Sequence, residues 1–259
     1  MKKVALITGA SSGIGKELAF IHAEQKSDLI VVARRKEELE LLKTELESKY
    51  GVQVIIIVKD LTNSGAPLEI YNEVKQLGIE VEYLINNAGF GGLGKFHERD
   101  WIKDEAMINL NVMALTSLTR LFLPDFVKRN SGRILNVSST ASLIPGPLQA
   151  VYFATKAYVT SFSNAVAEEL HDTNVTVTAL LPGATETEFG RISGMDKTSM
   201  FDSTSSARRV AEEGYNSMMK GELNKISGLT FAQKMMMSFV PFTPTKMLLK
   251  QVRKMQEVA

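Results

Sequence analysis

Short apolar runs rich in β-branched residues recur along the chain, and charged stretches separate them. Continuous apolar runs of this length are typical of strands buried on both faces, as in parallel sheets. Between the second and third runs, Leu39, Leu42 and Leu46 stand among charged residues, which predicts an amphipathic helix. The six runs are VALIT from Val4, LIVVA from Leu29, VQVIIIV from Val52, VEYLI from Val81, RILNVS from Arg133 and VTVTALL from Val175.

The repeated alternation of strand and helix predicts an α/β protein. We expect a single Rossmann-type, doubly wound parallel sheet with helices on both faces. No linker or repeat interrupts the pattern, so residues 1–259 are predicted to form one domain. After about Thr187 the pattern loosens. RISGMDKTSMFDSTSS, from Arg191, is predicted as loop, residues 188–215 as a variable substrate loop, and residues 228–259 as a Met-rich tail.

Composition narrows the classes of function. A net charge of +1 gives no strong field toward nucleic acid or membrane, and the absence of Cys excludes disulfides, thiol nucleophiles and Cys-ligated metal, so no metal site is predicted. Lys2 and Lys3 precede an apolar run that is too short for a signal peptide. No stretch approaches the length of uninterrupted apolar sequence that a spanning helix needs. We therefore expect a cytoplasmic protein.

A glycine-rich turn, ITGASSGIG, follows the first predicted strand and opens a helix. Gly9 permits the sharp turn, and Gly13 and Gly15 let the backbone approach a phosphate and the helix pack on the strand. The same kind of turn also joins strands to helices without a ligand. Its place at the end of the first strand favours a dinucleotide, with the pyrophosphate at the helix N-terminus.

The second strand ends in VVARRKEE, where NAD-binding folds carry an acidic residue for the ribose hydroxyls. Ala33 takes that place, and Arg34 and Arg35 follow it. Guanidinium groups suit a 2′-phosphate, which indicates NADP(H). The alternative is a solvated helix start, but cations there oppose the helix dipole.

Tyr152 and Lys156 lie one helical turn apart in VYFATKAY, and Tyr71 and Lys75 have the same spacing in LEIYNEVKQLG. Spacing alone therefore identifies no site. Ser139 comes 13 residues before Tyr152, at the carboxyl end of a predicted strand, where open α/β sheets bind ligands. A nearby ammonium is expected to lower the pKa of the Tyr152 phenol.

Five motifs occur in the order and at the separations of one known family. They are TGASSGIG at 8–15, NNAG at 86–89, NVSS at 136–139, the Tyr152–Lys156 pair and PG at 182–183. Over roughly residues 1–190 the chain resembles the short-chain dehydrogenase/reductase family, in particular its NADPH-preferring members. The resemblance implies an NADP(H)-dependent carbonyl reductase or alcohol dehydrogenase. The Met-rich tail, as a cover over the pocket, predicts an apolar substrate, such as a fatty-acyl, steroid-like or xenobiotic carbonyl. The alternative is a non-catalytic NADP(H)-binding redox sensor on the same fold.

The resemblance also implies residue roles. Tyr152 would donate a proton to the substrate carbonyl, Lys156 would assist it and hold the nicotinamide ribose, and Ser139 would orient the substrate oxygen, with Ser138 pointing elsewhere. Asn111, rather than Asn109, would hold a water linked to the lysine. The predicted cofactor-binding residues are Gly9, Ser11, Ser12, Gly13, Ile14, Gly15, Arg34, Arg35, Asp60, Leu61, Asn87, Ala88, Gly89, Tyr152, Lys156, Pro182, Gly183, Thr185 and Thr187. Asp60 would lie beside the adenine, cap a helix, or do both.

The C-terminal part departs from the family pattern. Only NKISG, from Asn224, offers a short seventh strand, which puts the family's end-to-end tetramer contact in doubt. Helices near 101–129 and 151–170 could still form a dimer bundle, so a homodimer or homotetramer is expected. Pro241 and Pro244 should break the tail in two. The tail would cover an apolar substrate, pack against the sheet or a second copy, or contact a membrane surface.

Overall fold

Seven parallel strands form the central sheet, in the order β3-β2-β1-β4-β5-β6-β9. The computed structural model describes residues 3–230, 233, 235, 237 and 239–257. The predicted α/β class, with one doubly wound parallel sheet, is confirmed, and each of the six apolar runs contains a strand. The strands are β1 Val4–Thr8, β2 Leu29–Ala33, β3 Val54–Val58, β4 Val81–Asn86, β5 Gly132–Val137, β6 Val175–Pro182 and β9 Asn224–Ser227; β7 Thr185–Glu186 pairs separately with β8 Ser205–Ser206.

Residues of the strands β1 to β6 enter two different apolar cores, one on each face of the sheet. Ile7 of β1 belongs to the core with α1, α2 and α8, whereas its neighbour Leu6 belongs to the core with α3, α5 and α6. This two-sided burial explains why the strands are apolar throughout. The helices are α1 Gly13–Glu24, α2 Lys36–Tyr50, α3 Ala66–Gln76, α4 Trp101–Ile108, α5 Leu115–Lys128, α6 Ala150–Glu169, α7 Glu188–Ser193, α8 Ala207–Lys220 and α9 Thr245–Gln256.

A π-helical segment, Asn109–Ala114, joins α4 and α5 into one continuous helix, Trp101–Lys128. The sequence pattern did not indicate this segment. By length and composition the whole helix could cross a membrane. In this fold Leu118, Phe122 and Phe126 are buried in the apolar core against the sheet, as expected for a core helix of a globular protein.

The prediction of a loop after Thr187 is wrong for much of that segment. Residues 188–193 form α7, 3₁₀ turns follow at Met195–Lys197 and Ser199–Phe201, and α8 begins at Ala207. Residues 188–201 lack an evident sequence period because the helix and the turns there are short. Val210, Ala211 and Tyr215 are buried in the core, so the last third of the predicted substrate loop, 188–215, is part of the scaffold.

The tail divides at its prolines, as predicted. A 3₁₀ turn covers Val240–Phe242, and α9 begins directly after Pro244. The short strand predicted in NKISG is present as β9 and extends the sheet beside β6. Lys234 and Met236, which belong to the predicted Met-rich tail, lie outside the described residues.

Candidate active site

The glycine-rich turn lies at the carboxyl end of β1 and is fastened to the end of β4. Gly9 has φ of 67°, in the left-handed region that favours glycine, and a Cβ on Gly15 would lie 2.3 Å from the carbonyl oxygen of Gly9. The Asn87 Nδ2 donates to the carbonyl oxygens of Thr8 and Gly9, at 3.0 and 3.3 Å. The Thr8 hydroxyl accepts from the backbone N–H groups of Asn87 and Ala88, each at 3.0 Å. Thr8 was not among the predicted site residues, although it begins the TGASSGIG motif.

Two guanidinium groups lie where β2 leads into α2. The Arg34 Nη1 is 3.7 Å from Asp60 Oδ2. Asp60 accepts hydrogen bonds from the backbone and hydroxyl of Thr62, at 3.0 and 2.8 Å, and so forms a local turn. The alternative that Asp60 caps a helix is wrong, because α3 begins only at Ala66. Both arginines line the same cavity as the glycine-rich turn, which argues against a merely solvated helix start.

Glu188 is a site residue that sequence reasoning missed. It is the first residue of α7, and its carboxylate lies 2.9 Å from Arg35 Nη2. The Arg35 guanidinium also donates to the Ser11 hydroxyl, at 3.2 Å, and holds the pKa of Glu188 below its usual range, with help from Ser12. This ion pair connects the glycine-rich turn to the segment that follows β6. No signal in one sequence would have paired residues 153 positions apart.

Ser139, Tyr152 and Lys156 meet at the carboxyl end of β5. The Ser139 hydroxyl accepts a hydrogen bond from the Ala141 N–H at 3.1 Å and lies close enough to the Tyr152 phenol to lower its pKa. The Lys156 Nζ donates to the Val137 carbonyl at 2.8 Å and lies 5.9 Å from the centroid of the Tyr152 ring. Ser138 donates instead to the Lys156 carbonyl at 2.9 Å, so the expected difference between the two serines is present.

Burial dominates the ionisation of this cluster. Burial raises the pKa of Tyr152 to about 12, against an opposing effect of the Ser139 hydrogen bond, and lowers the pKa of Lys156 to about 8. The expected lowering of the phenol pKa by the ammonium is therefore wrong for the protein alone, because desolvation disfavours both charged forms. At neutral pH the phenol keeps its proton and can donate it.

Asn111 lies behind the cluster, in the π-helical segment. Its amide donates to the Phe90 carbonyl at 2.9 Å and to the Thr155 hydroxyl at 3.1 Å, and its Oδ1 accepts from the Phe90 N–H at 3.1 Å. The side chain is thus a positioning group that holds the loop after β4 against α6. The predicted water link to Lys156 stays a prediction.

One cavity of about 870 Å³ connects the arginines, the glycine-rich turn and the catalytic cluster. All the predicted site residues line it except Gly15, which packs behind the turn, and Asn111. Beyond Tyr152 the cavity becomes apolar. Its apolar wall comprises Phe90, Ile144, Phe153 and Phe189 from the domain and Leu229, Met237, Phe239, Val240, Leu248 and Val252 from the described part of the tail.

The residues present suit a dinucleotide cofactor. The turn brings backbone close to the cavity where a side chain would not fit, and the two arginines provide bidentate donors for a phosphate. The phosphate end and the Ser139–Tyr152–Lys156 cluster open into the same space, as hydride transfer between a cofactor and a substrate requires.

Comparison with known proteins identifies the family. The model of the short chain dehydrogenase family matches residues 3–197. The chain therefore belongs to this family, as its motifs predicted.

Characterised relatives share much of the domain. The NADP-dependent 3-hydroxy acid dehydrogenase of Schizosaccharomyces pombe is 39% identical over 190 residues, covering 72% of this chain and 73% of the relative. A very-long-chain 3-oxoacyl-CoA reductase of Anas platyrhynchos is 33% identical over 199 residues, which span 73% of this chain but only 62% of that protein. A short-chain dehydrogenase from Sphingobium yanoikuyae in complex with NADPH superposes with a TM-score of 0.84 at 31% identity, covering 93% of each chain.

Proposed function

We propose that this protein is an NADP(H)-dependent carbonyl reductase or alcohol dehydrogenase for bulky apolar substrates. The observation that carries the proposal is the convergence of Ser139, Tyr152 and Lys156 on a cavity that also contains Arg34 and Arg35. A non-catalytic redox sensor would need the dinucleotide cleft but not this cluster at its far end.

The chain's own residues support the chemistry as follows. NADPH, when bound, supplies the hydride. The Ser139 hydroxyl can hydrogen-bond the substrate oxygen, and the Tyr152 phenol, protonated at neutral pH, can donate its proton to that oxygen. The ammonium of Lys156 stabilises the phenolate that remains. Closing the pocket with apolar side chains strengthens these interactions by excluding water.

Two observations support NADP(H), rather than NAD(H), as the cofactor. Ala33 takes the place of the acidic residue that NAD-binding folds use, and Arg34 and Arg35, which follow it, both line the cavity. A relative is NADP-dependent, and the superposed dehydrogenase was solved with NADPH. Replacing Arg34 by Ala should raise KM for NADPH about 10- to 150-fold, the value of one charged hydrogen bond, and change KM for NADH little. Equal use of NADPH and NADH by the wild-type protein would contradict this interpretation.

The substrate class follows from the cavity wall. Phe90, Phe153 and Phe189 stand near Tyr152, and Leu248 and Val252 of α9 pack into the same apolar cluster. Two relatives are named for very-long-chain 3-oxoacyl-CoA and a 17-beta-hydroxysteroid, which are an extended and a bulky substrate. The proposed substrate is therefore an apolar carbonyl compound of that size.

The test is NADPH oxidation, followed by absorbance, over a panel of short and long aldehydes, ketones, steroids and 3-oxoacyl thioesters. We expect kcat/KM to rise with apolar size. A Leu248→Ala variant should lose part of that gain and keep its rate on the shortest carbonyl. Leu41→Ala, at an exposed position on α2, is the matched control. NADPH binding without turnover of any carbonyl, or of any alcohol with NADP⁺, would favour the sensor.

We also propose a homodimer through the long helices. Trp101, Ile102 and Met113, on the continuous helix, and Tyr158 on α6 are exposed, which suits the helix bundle expected from the family resemblance. Analytical ultracentrifugation of the wild type and of a Trp101→Glu/Ile102→Glu variant tests this. A wild type that sediments as a monomer would contradict it.

A further inference from the structure

The outer face of α9 and the turn before it form a surface on which basic side chains outnumber acidic ones. From Gly228 to Glu257 the chain contains five Lys or Arg residues and one acidic residue, Glu257. Four of these cations, Lys246, Lys250, Arg253 and Lys254, fall within about a third of the circumference of α9, at the helical period of 100° per residue. Among the described residues, Arg253 pairs with Glu257 at 3.0 Å, and no ion pair involves the three lysines.

Exposed apolar side chains accompany these cations. Phe242 is 83% exposed, Met247 is 64% exposed and Phe239 is 61% exposed. Phe239 also lines the substrate cavity, as does Ile192 of α7, which is 65% exposed. Residues that both line a cavity and face solvent lie at its mouth. Part of the mouth of this cavity is therefore apolar and lies beside the basic helix, and Arg191, whose side chain is 76% exposed, also lies at the mouth.

The inner face of α9 packs against the residues around the catalytic Tyr152. Leu248 and Val252 pack into the apolar cluster of Tyr152, Phe153 and Phe189. The helix therefore has one face on the substrate cavity and the opposite face basic.

We propose that this surface, defined as Phe239, Phe242, Lys246, Met247, Lys250 and Lys254, docks on an anionic lipid bilayer and turns the cavity mouth toward the lipid. Basic side chains contact anionic headgroups while neighbouring aromatic and Met side chains enter the interface, which is how amphipathic surface helices bind membranes. A second copy of the chain is a poorer occupant, because a two-fold interface centred here would place the lysines against their own copies. The proposal concerns binding and does not rest on the proposed reaction.

Co-flotation of the full-length protein with vesicles tests the proposal. We expect binding to vesicles of phosphatidylcholine with phosphatidylserine, loss of binding as salt rises, and little binding to phosphatidylcholine alone. Lys246→Glu/Lys250→Glu should lower the partition coefficient at least about 25-fold, since each surface cation contributes about fivefold. Both changes lie in the first half of α9, where the dipole favours acidic residues, so the helix should persist. The matched control is Lys49→Glu/Lys220→Glu, two exposed lysines on α2 and α8.

A second pair of variants tests the contribution of the apolar side chains on this surface. Phe242→Ser should reduce binding about tenfold, the effect of removing one buried aromatic ring from the interface. Leu41→Ser removes an exposed apolar side chain on α2 and should leave binding unchanged. NADPH oxidation with a short, water-soluble carbonyl should be equal in all variants, which separates this test from that of the reaction.

Three results would overturn the proposal. They are no flotation with anionic vesicles at low salt, equal flotation of the Lys246→Glu/Lys250→Glu variant and the wild type, and binding that is as strong to phosphatidylcholine alone. If the same variants instead lower the oligomeric state in analytical ultracentrifugation and the wild type does not float, the surface is a contact between copies.

Discussion

Tyr152 with Lys156 and Tyr71 with Lys75 have the same spacing on a helix, but the protein surrounds the two pairs differently. Tyr152 and Lys156 are 6% and 5% exposed and lie at the cavity. Tyr71 donates to Asp125 at 3.0 Å, and Lys75, whose side chain is 51% exposed, lies 3.3 Å from the same carboxylate. The Tyr152–Lys156 pair is buried, whereas the Tyr71–Lys75 pair belongs to a surface network in which both side chains contact the Asp125 carboxylate.

This difference shows what makes a phenol and an ammonium chemically useful. Asp125 contacts both members of the outer pair. Burial raises the pKa of Tyr71, and the hydrogen bond to Asp125 raises it further. At the inner pair the Val137 carbonyl accepts from Lys156 and the Ser139 hydroxyl lowers the pKa of the phenol, and both Tyr152 and Lys156 line the cavity. A substrate can interact with the inner pair, whereas the outer pair ties α3 to α5.

The largest expected effect separates the two phenols. Tyr152→Phe should lower kcat about 10²- to 10⁴-fold, the usual contribution of a positioned general acid, with NADPH affinity nearly unchanged. Tyr71→Phe is the matched control and should keep wild-type kcat. The measurements are steady-state kinetics on an accepted carbonyl and NADPH titration. Near-normal turnover by Tyr152→Phe would remove the assignment of Tyr152 as the acid.

The next effect separates the two ammonium groups. Lys156→Met should lower kcat/KM by roughly 10- to 150-fold, because a buried charged hydrogen-bond partner is lost. Lys75→Met should leave kcat/KM unchanged, since neither Lys75 nor its partner Asp125 lines the cavity. Equal loss of activity in both variants would contradict the conclusion that only the buried Lys156 takes part in the reaction.

A pH series measures the desolvation of Lys156 directly. Its pKa is lowered to about 8 in the folded protein, against about 10.4 for lysine in an unfolded chain. Between these values the unfolded chain binds the extra proton, so the free energy of unfolding of the wild type should rise with pH relative to Lys156→Met. The slope should approach about 1.4 kcal/mol per pH unit. Urea unfolding between about pH 8 and pH 10 checks this, below the range where the raised pKa of Tyr152 contributes. A constant difference between the two proteins would contradict the lowered pKa.

The smallest effect concerns the outer pair. Tyr71→Phe removes one hydrogen bond to a carboxylate that Lys75 still contacts, and should lower the free energy of unfolding by about 1 kcal/mol. Chemical denaturation of the two proteins at neutral pH measures the change. No loss of stability would mean that the bond between Tyr71 and Asp125 does not tie α3 to α5.

The local sequence was sufficient to predict the strands and the glycine-rich turn. VALIT and LIVVA coincide with β1 and β2, because strands buried on both faces need apolar residues throughout. The family motifs likewise indicated Ser139, Tyr152 and Lys156, since their chemistry demands particular residue types. The segment after Thr187 was predicted less well, because one- and two-turn helices leave no readable period.

The sequence by itself determined the order of strands and helices, the residue types at the catalytic cluster and the basic character of the cofactor end. Only the tertiary structure decided that burial governs the ionisation of Tyr152 and Lys156, and that Glu188 reaches Arg35. It also placed α9 over the apolar end of the cavity. The physical reason is that pattern and composition report each residue's own preference, whereas desolvation and pairing depend on neighbours far away in the chain.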